Sequence, residues 1–370
     1  MSKPRVIVFG RFPPPVDGQS LSTERFVTML DSEYTFTRIN SSVPAEAGTF
    51  QKFASYRESG KQLRREISGS REECIVWQSI SPQVTGHYRD RITVLPHLKR
   101  HRSIAVIHWG SFARVFQAPL TSASARRMVD RIAHFVFTDE RLSDACAEWI
   151  PADRRSAIAN SVDPGLLCSD EDVHKKPTAR NDGSLRMLYL SNMIKEKGYL
   201  DVLQAGKLLN DQGLDVRIDF VGRWYSDTDR KEFEQLVESK KLARIVHHHG
   251  PIEDRATLKQ FYLSADVFVF PTYYLHEAQP LCVIEAMSAG LPIVTTANGG
   301  IPNMVRDGEE GFVVPAQQPG AIAAAVCQLA DDQTWLNCAT NARRRFVERY
   351  HPGVIREQWV TLINSIHPQI

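Results

Sequence analysis

The sequence predicts an α/β protein of two Rossmann-like domains, each an alternating strand-and-helix unit around a parallel sheet, and three observations predict it. A chain of 370 residues exceeds the size at which a single core stops growing. Apolar runs of strand length alternate with segments long enough for helices, once over residues 5–161 and again over 185–314. Between the two series lies SDEDVHKKPTARNDGS, residues 169–184, polar, charged and poor in apolar side chains, as linkers are. The domains are therefore expected at 1–170 and 171–352, facing one interdomain cleft.

The first strand is RVIVFG, residues 5–10, and RFPPPVDGQS after it supplies a Pro/Gly loop into a helix beginning near Gly18. This is a Rossmann-like opening without GxGxxG, so its dinucleotide signal is weak; Gly18 fits either a tight turn or a close approach to a ligand. Further strands are expected at 34–40, 73–79, 103–110, 134–139 and 156–161. The fourth run ends in Ile107-His108-Trp109-Gly110, at the carboxyl edge where ligands of open parallel sheets collect. His108 is therefore a candidate site residue, the alternative being a histidine satisfied by a local hydrogen bond.

In the second series strands are expected at 185–191, 216–222, 245–250, 267–272, 293–296 and 311–314. The densest stretch is residues 276–300, HEAQPLCVIEAMSAGLPIVTTANGG. Pro280 suits the first position of a helix, where its missing N–H has no partner to lose, and Gly290 with Pro292 stops it, so a helix is expected over 280–289. Leu281, Cys282 and Val283 would then offer N–H groups without intrahelical acceptors, a ready anion site. Glu285 lies about 7.5 Å further along the axis, a phosphate-to-ribose distance. Its neighbours Val283, Ile284, Ala286 and Met287 leave no polar face, so an acid there needs a hydrogen-bonding partner. Glu277 stands just before the helix, on the other side of the anion.

These residues carry a family resemblance. Glu277, seven residues, Glu285, then Ala286, a small-residue turn with Gly290-Leu291-Pro292, and Gly299-Gly300-Ile301-Pro302 resemble the donor-site signature of retaining glycosyltransferases of the two-domain GT-B architecture, the glycosyl transferases group 1 family. The resemblance covers nearly the whole chain, with the specific motifs in the second half. It implies that Glu277 contacts the transferred sugar, that Glu285 holds the nucleotide ribose, and that Lys197, in Ser191-Asn192-Met193-Ile194-Lys195-Glu196-Lys197-Gly198, grips the donor diphosphate. Pro280, Leu281 and Cys282 join the donor site, His108 lies near the sugar, and the Gly18 loop lies near the diphosphate. Asn160-Ser161-Val162-Asp163 resembles the family's Asn-Gly-Val-Asp at the end of the first domain, and VIREQWVTLINSI, within 353–370, is implied to cross back onto that domain. Two positions depart from the pattern. Asp17-Gly18 stands where many relatives have Gly-Gly, and Asn192 replaces an arginine, for which Arg223 is the candidate substitute.

The activity so implied is hexosyl transfer from a UDP- or GDP-sugar co-substrate to a glycan, lipid-linked or small-molecule acceptor, with retention of configuration, and with no metal and no resident cofactor. A nucleotide-sugar epimerase or phosphorylase on the same architecture, and a catalytically silent sugar-nucleotide-binding protein, stand as alternatives; the missing arginine supports the last.

Composition narrows the rest. A formal charge of +2 gives no reason to expect nucleic acid as a partner. The six cysteines form no CxxC pair or disulfide-like framework, and no signal peptide precedes Arg5, so a reduced, cytoplasmic setting is expected. No apolar run approaches the ~20 residues that cross a bilayer. Asp227-Thr228-Asp229 imitates a metal-binding DxD but reads as the capped start of a helix, and His247-His248-His249 reads as strand, where at most the outer two could share an ion. Two basic runs, residues 97–102 and the helix-like QKFASYRESGKQLRREI, most simply make solvated faces; attraction to anionic lipid heads leaves room for a peripheral contact with the inner face of a membrane.

Overall fold

The computed structural model describes residues 3–43, 48–69, 74–81, 83–98, 103–174 and 184–366. It divides into two compact units, Met1–Ser161 with Pro352–Ile370, and Val162–His351. The division falls ahead of the 170/171 boundary expected from polarity, for a physical reason. Leu166 and Cys168 are buried, the Cys168 N–H donates to Ser288 Oγ at 3.1 Å, and Asp170 and Asp172 pair with Arg343 and Lys259 at 2.8 and 2.7 Å. The stretch up to His174 is thus anchored in the second unit by its few apolar side chains and by the charges that made it resemble a linker. Residues 175–183 of the expected linker lie outside the described residues.

The first unit is built on six parallel strands, β1 Arg5–Gly10, β2 Thr35–Asn40, β3 Cys74–Ser79, β4 Ser103–Ile107, β5 His134–Phe137 and β6 Arg155–Ala157, in the order β2-β1-β3-β4-β5-β6. β3 and β4 are buried along their whole length, as continuous apolar runs flanked by helices on both faces must be. β6 is shorter than expected because residues 158–161 turn to the first helix, Gly18–Met29: Asn160 Oδ1 accepts from Ser22 Oγ at 2.7 Å, and the Ser161 carbonyl accepts from Arg25 at 2.8 Å. Phe26 of that helix stacks on Trp77 at 5.0 Å between ring centres and meets Trp359 edge-on at 4.8 Å. Trp359 belongs to the helix Pro352–Ile366, which buries Ile355, Trp359 and Ile363 in the same core.

The second unit has β7 Leu185–Leu190, β8 Val216–Val221, β9 Val246–His248, β10 Val267–Phe270, β11 Ile293–Thr295 and β12 Gly311–Val313, all parallel, in the order β12-β11-β10-β7-β8-β9. The chain winds outward from β7 in one direction and then returns to β10 to wind in the other, so β7 and β10 flank the switch point. A ligand of such a sheet collects there, beyond the carboxyl ends of those two strands. Among the described residues, no helix is long and apolar enough to cross a membrane.

Candidate functional site

Lys197 and Glu277 stand at that switch point. The chain leaves β7 into a single 3-10 turn, Lys195–Lys197, passes Gly198 at φ 84°, and enters the helix Tyr199–Asp211. Gly198 is required by a close approach as well as by its φ, since a Cβ there would lie 2.5 Å from the Pro271 carbonyl oxygen on the loop after β10. The Tyr273 N–H donates to the Glu196 carbonyl at 2.8 Å, tying the two loops together. Lys197 Nζ consequently rests 3.6 Å from Glu277 Oε2 and 5.7 and 5.6 Å from the ring centres of Phe270 and Tyr274. The two side chains are only 18% and 11% exposed, yet Glu277 Oε2 is buried without a hydrogen bond. A buried carboxylate oxygen that lacks a donor, beside a cation, suits a sugar hydroxyl.

The Glu277 loop is held from below by the Gly-Gly turn. Asn298 Nδ2 donates to the Tyr274 carbonyl at 2.9 Å, the Glu277 N–H donates to the same carbonyl at 3.0 Å, and the Gly300 N–H donates to the Ala278 carbonyl at 2.6 Å. The following helix is Leu281–Ser288, and Pro280 is its N-cap with extended ψ of 124°, not its first residue. The Pro280 carbonyl accepts the Val283 N–H at 3.2 Å, so the expected set of three unpaired amides loses Val283 and retains Leu281 and Cys282. Burial pushes the Cys282 thiol far up, which leaves it an uncharged neighbour of the helix start. Glu285 is 5% exposed, and its Oε2 accepts the Tyr262 hydroxyl at 2.8 Å, the partner that a buried acid needs. Sequence reasoning missed Tyr262, Phe270, Tyr274 and Asn298; of these Tyr274, three residues before Glu277, and Asn298, directly before Gly299, lay close enough in the chain to be noticed.

Asn192 and Arg223 occupy the adjoining edge of the sheet. The Met193 N–H donates to the Arg223 carbonyl at 2.8 Å, so the two residues lie on neighbouring chain segments, both exposed, beyond β7 and β8. Among the described residues, no partner engages the Arg223 guanidinium. Nearby, the DxD imitation opens the helix Asp227–Ser239, capped by Ser226, whose Oγ accepts the Asp229 N–H at 3.1 Å, while Asp229 pairs with Lys195 at 3.2 Å. β9 stops at His248; His249 lies beyond the strand and bonds Asp219 at 2.7 Å. Among the described residues, no three His, Cys, Asp or Glu side chains gather as metal ligands would.

The remaining candidates belong to the first unit. Gly18 is the first residue of its helix, and nothing lies within 4 Å of the position its Cβ would take, so neither crowding nor its φ demands a glycine there. Asp17 caps that helix by accepting the Ser20 N–H at 2.9 Å and is paired with Arg11 at 2.7 Å. His108 follows β4 directly. Its Nε2 is buried without a partner, and burial lowers the imidazole to about 4, so the ring is neutral near pH 7. The local hydrogen bond that would satisfy this nitrogen is absent among the described residues.

Comparison with known proteins sets these residues in context. Residues 170–349 match the sequence model described as Glycosyl transferases group 1. The capsular polysaccharide biosynthesis glycosyltransferase CapM of Staphylococcus aureus is 27% identical over 180 residues, covering 48% of this chain and 45% of CapM. The O-antigen chain mannosyltransferase B of Escherichia coli is 30% identical over 153 residues, 41% of this chain and 39% of that protein. This chain thus spans less than half the length of these curated relatives. Among solved structures, Anabaena HepE in complex with UDP and glucose superposes with a TM-score of 0.70 at 16% identity, over 98% of this chain and 100% of HepE. Sucrose-phosphate synthase from Thermosynechococcus elongatus superposes at 0.73 and 18%, over all of both chains. The fold is therefore the GT-B architecture of two Rossmann-like domains. Residues 170–349, which carry both glutamates, Lys197 and the Gly-Gly turn, are the part of this chain that is similar to the glycosyl transferases group 1 family.

Proposed function

We propose that the protein is a retaining glycosyltransferase that moves a sugar from a nucleoside diphosphate donor held by the second unit to an acceptor held by the first. The observation that carries this reading is the Lys197–Glu277 pair at the switch point, with its buried carboxylate oxygen lacking a donor and with a helix start and a buried Glu285 following in order. Lys197 and the Leu281 and Cys282 amides meet the diphosphate, Glu285 accepts from the ribose, and Glu277 accepts from the sugar. Arg223 supplies the positive charge that Asn192 does not. His108, neutral near pH 7, is free to exchange hydrogen bonds with a sugar hydroxyl.

In the transfer, the bond from the anomeric carbon to the diphosphate oxygen breaks and a bond from that carbon to the acceptor oxygen forms on the same face. The acceptor's proton passes to the departing diphosphate, so the products are the glycoside and a nucleoside diphosphate. Fixed positive groups aimed at the leaving oxygens stabilise the charge that develops there. Carried by these protein groups alone, the reaction would not need a metal. The polysaccharide-assembly roles named for the relatives support a surface glycan or its precursor as the acceptor.

The test is calorimetry with UDP and GDP, followed by incubation with a panel of their sugars, with and without acceptor, in the presence of EDTA. Binding of one nucleotide, diphosphate release that depends on acceptor, and a rate changed by less than about twofold by EDTA are expected. Epimerised donor without diphosphate release, or binding without any turnover, would overturn the reading.

A further inference from the structure

A lysine ammonium ends a flexible stem, so one that must meet a diphosphate has to be held in place by something. Among the described residues, no hydrogen bond holds Lys197 Nζ. Glu277 Oε2, at 3.6 Å, is an ion-pair partner beyond the reach of a good hydrogen bond. What faces the ammonium besides is a pair of rings. The centres of Phe270 and Tyr274 lie 5.7 and 5.6 Å from Nζ, both inside the roughly 6 Å over which an aromatic face attracts a cation.

The two rings are mounted differently. Phe270 is the last residue of β10 and fully buried, part of the sheet itself. Tyr274 lies in the loop that leads to Glu277, and its backbone is fixed on both sides. Its N–H donates to Thr272 Oγ1 at 3.2 Å, and its carbonyl accepts from Asn298 Nδ2 at 2.9 Å and from the Glu277 N–H at 3.0 Å. Thr272 is fully buried, and its hydroxyl donates at 3.4 Å to the carbonyl of Glu196, the residue before Lys197. One short network therefore sets the lysine, the tyrosine ring and Glu277 relative to one another. A ring suits the task better than a second carboxylate, because its face attracts the ammonium without neutralising it and leaves the whole charge to phosphate oxygens. Burial pushes the Tyr274 phenol up, so near pH 7 it does not become an anion that competes with a diphosphate.

We propose that Tyr274 is a positioning residue, whose ring face holds the Lys197 ammonium at the diphosphate site while Glu277 exchanges that ammonium for the sugar. When a diphosphate draws the charge of Lys197, Glu277 Oε2 is released, and the ring keeps the lysine from following the carboxylate or swinging into solvent. The contact between ring and ammonium rests on the structure alone; that it serves a diphosphate rests on the glycosyltransferase reading.

Two measurements on the full chain test it. Reductive methylation with isotope-labelled formaldehyde gives each lysine an NMR signal, and that of Lys197, identified by its absence in Lys197→Arg, is expected upfield of exposed lysines through the ring currents. It should move part of the way back in Tyr274→Leu and hold in Tyr274→Phe. Calorimetry then compares UDP and GDP with uridine and guanosine. For the diphosphate that binds, Tyr274→Leu is expected to lose about five- to thirtyfold in affinity, with its nucleoside changed by less than about twofold and Tyr274→Phe restoring the loss. Added to Lys197→Met, Tyr274→Leu should cost less than about twofold more. A wild-type Lys197 signal among those of exposed lysines would overturn the proposal even where Tyr274→Leu fails to fold. A loss in Tyr274→Phe as large as in Tyr274→Leu, an equal loss for the nucleoside, or an undiminished loss in the Lys197→Met background would each overturn it too. Failure of the glycosyltransferase reading is seen separately, as absent binding of both UDP and GDP, and the lysine signal still decides the contact.

Discussion

Gly198→Ala probes fold and site with one methyl group. At φ 84° an alanine takes on left-handed backbone strain of about 1–2 kcal/mol. Its Cβ would also stand 2.5 Å from the Pro271 carbonyl oxygen, 2.8 Å from Pro271 Cγ and 3.0 Å from its carbonyl carbon. These are mostly backbone atoms of the loop after β10, so relief means moving the carbonyl by about 0.9 Å, from 2.5 Å to the 3.4 Å of ordinary contact. Overpacking of this kind costs about 1–3 kcal/mol, which brings the total to about 2–5 kcal/mol. Gly213→Ala is the matched control, because Gly213 has φ 83° and nothing within 4 Å of its Cβ position, leaving the strain alone. Urea denaturation of the two variants at equal m-values should separate them by at least about 1 kcal/mol. Because the displaced loop carries the Tyr273-to-Glu196 bond beside Lys197, UDP affinity should fall in Gly198→Ala and hold in Gly213→Ala. Equal stability and equal affinity in both variants would refute the close-approach argument.

Glu285→Ala should weaken nucleoside diphosphate binding by about 2–3 kcal/mol, with Tyr262→Phe giving a smaller loss, and unchanged calorimetric affinity in the alanine variant would end the ribose assignment. Glu277→Gln should keep diphosphate binding and lose transfer; a fully active variant would remove its role at the sugar. Asn192→Arg and Arg223→Ala, singly and together, should show coupled effects on diphosphate affinity if both sit at one phosphate site, whereas additivity would show that Arg223 does not replace the missing arginine. His108 is held neutral in the fold, lowered to about 4 from its ordinary value near 6.5, so the unfolded chain takes up the proton first. Its contribution is complete above about pH 6.5 and is lost as pH falls towards 4, by about 1–3 kcal/mol given its partial exposure. His134 is lowered to about 4 and shares the window, so the difference in urea midpoints between wild type and His108→Gln, from pH 7 to 4.5, isolates His108; equal slopes would contradict its burial.

The parts of the fold legible in the sequence were those written in local pattern. Continuous apolar runs marked strands such as β3, β4 and β10, because a strand covered on both faces has no polar positions to interrupt it. The glutamate pair and its turn were legible for the same reason, as spacing along one segment. What escaped was long-range. Tyr262 reaches Glu285 from another helix, and nothing in the residues around either announces the other. The start of the site helix slipped by one residue because a proline satisfies N-cap and first-turn positions equally well until its carbonyl is seen accepting from Val283. The basic stretch at 52–65 read as a solvated face; only a second helix laid against it turns part of that face inward, and its companion residues 99–102 lie outside the described residues.

The helix Pro352–Ile366 has a consequence for the order in which the protein can be made. Residues 162–351 form one uninterrupted unit, and as they leave the ribosome they hold every strand their sheet requires. The sheet of the first unit emerges earlier, yet Phe26 and Trp77 then lack the ring of Trp359, and the apolar face around them stays uncovered until Ile363 has cleared the exit tunnel. The unit translated first is therefore completed last, and throughout that interval its open aromatic face is a binding site for chaperones and a liability for aggregation.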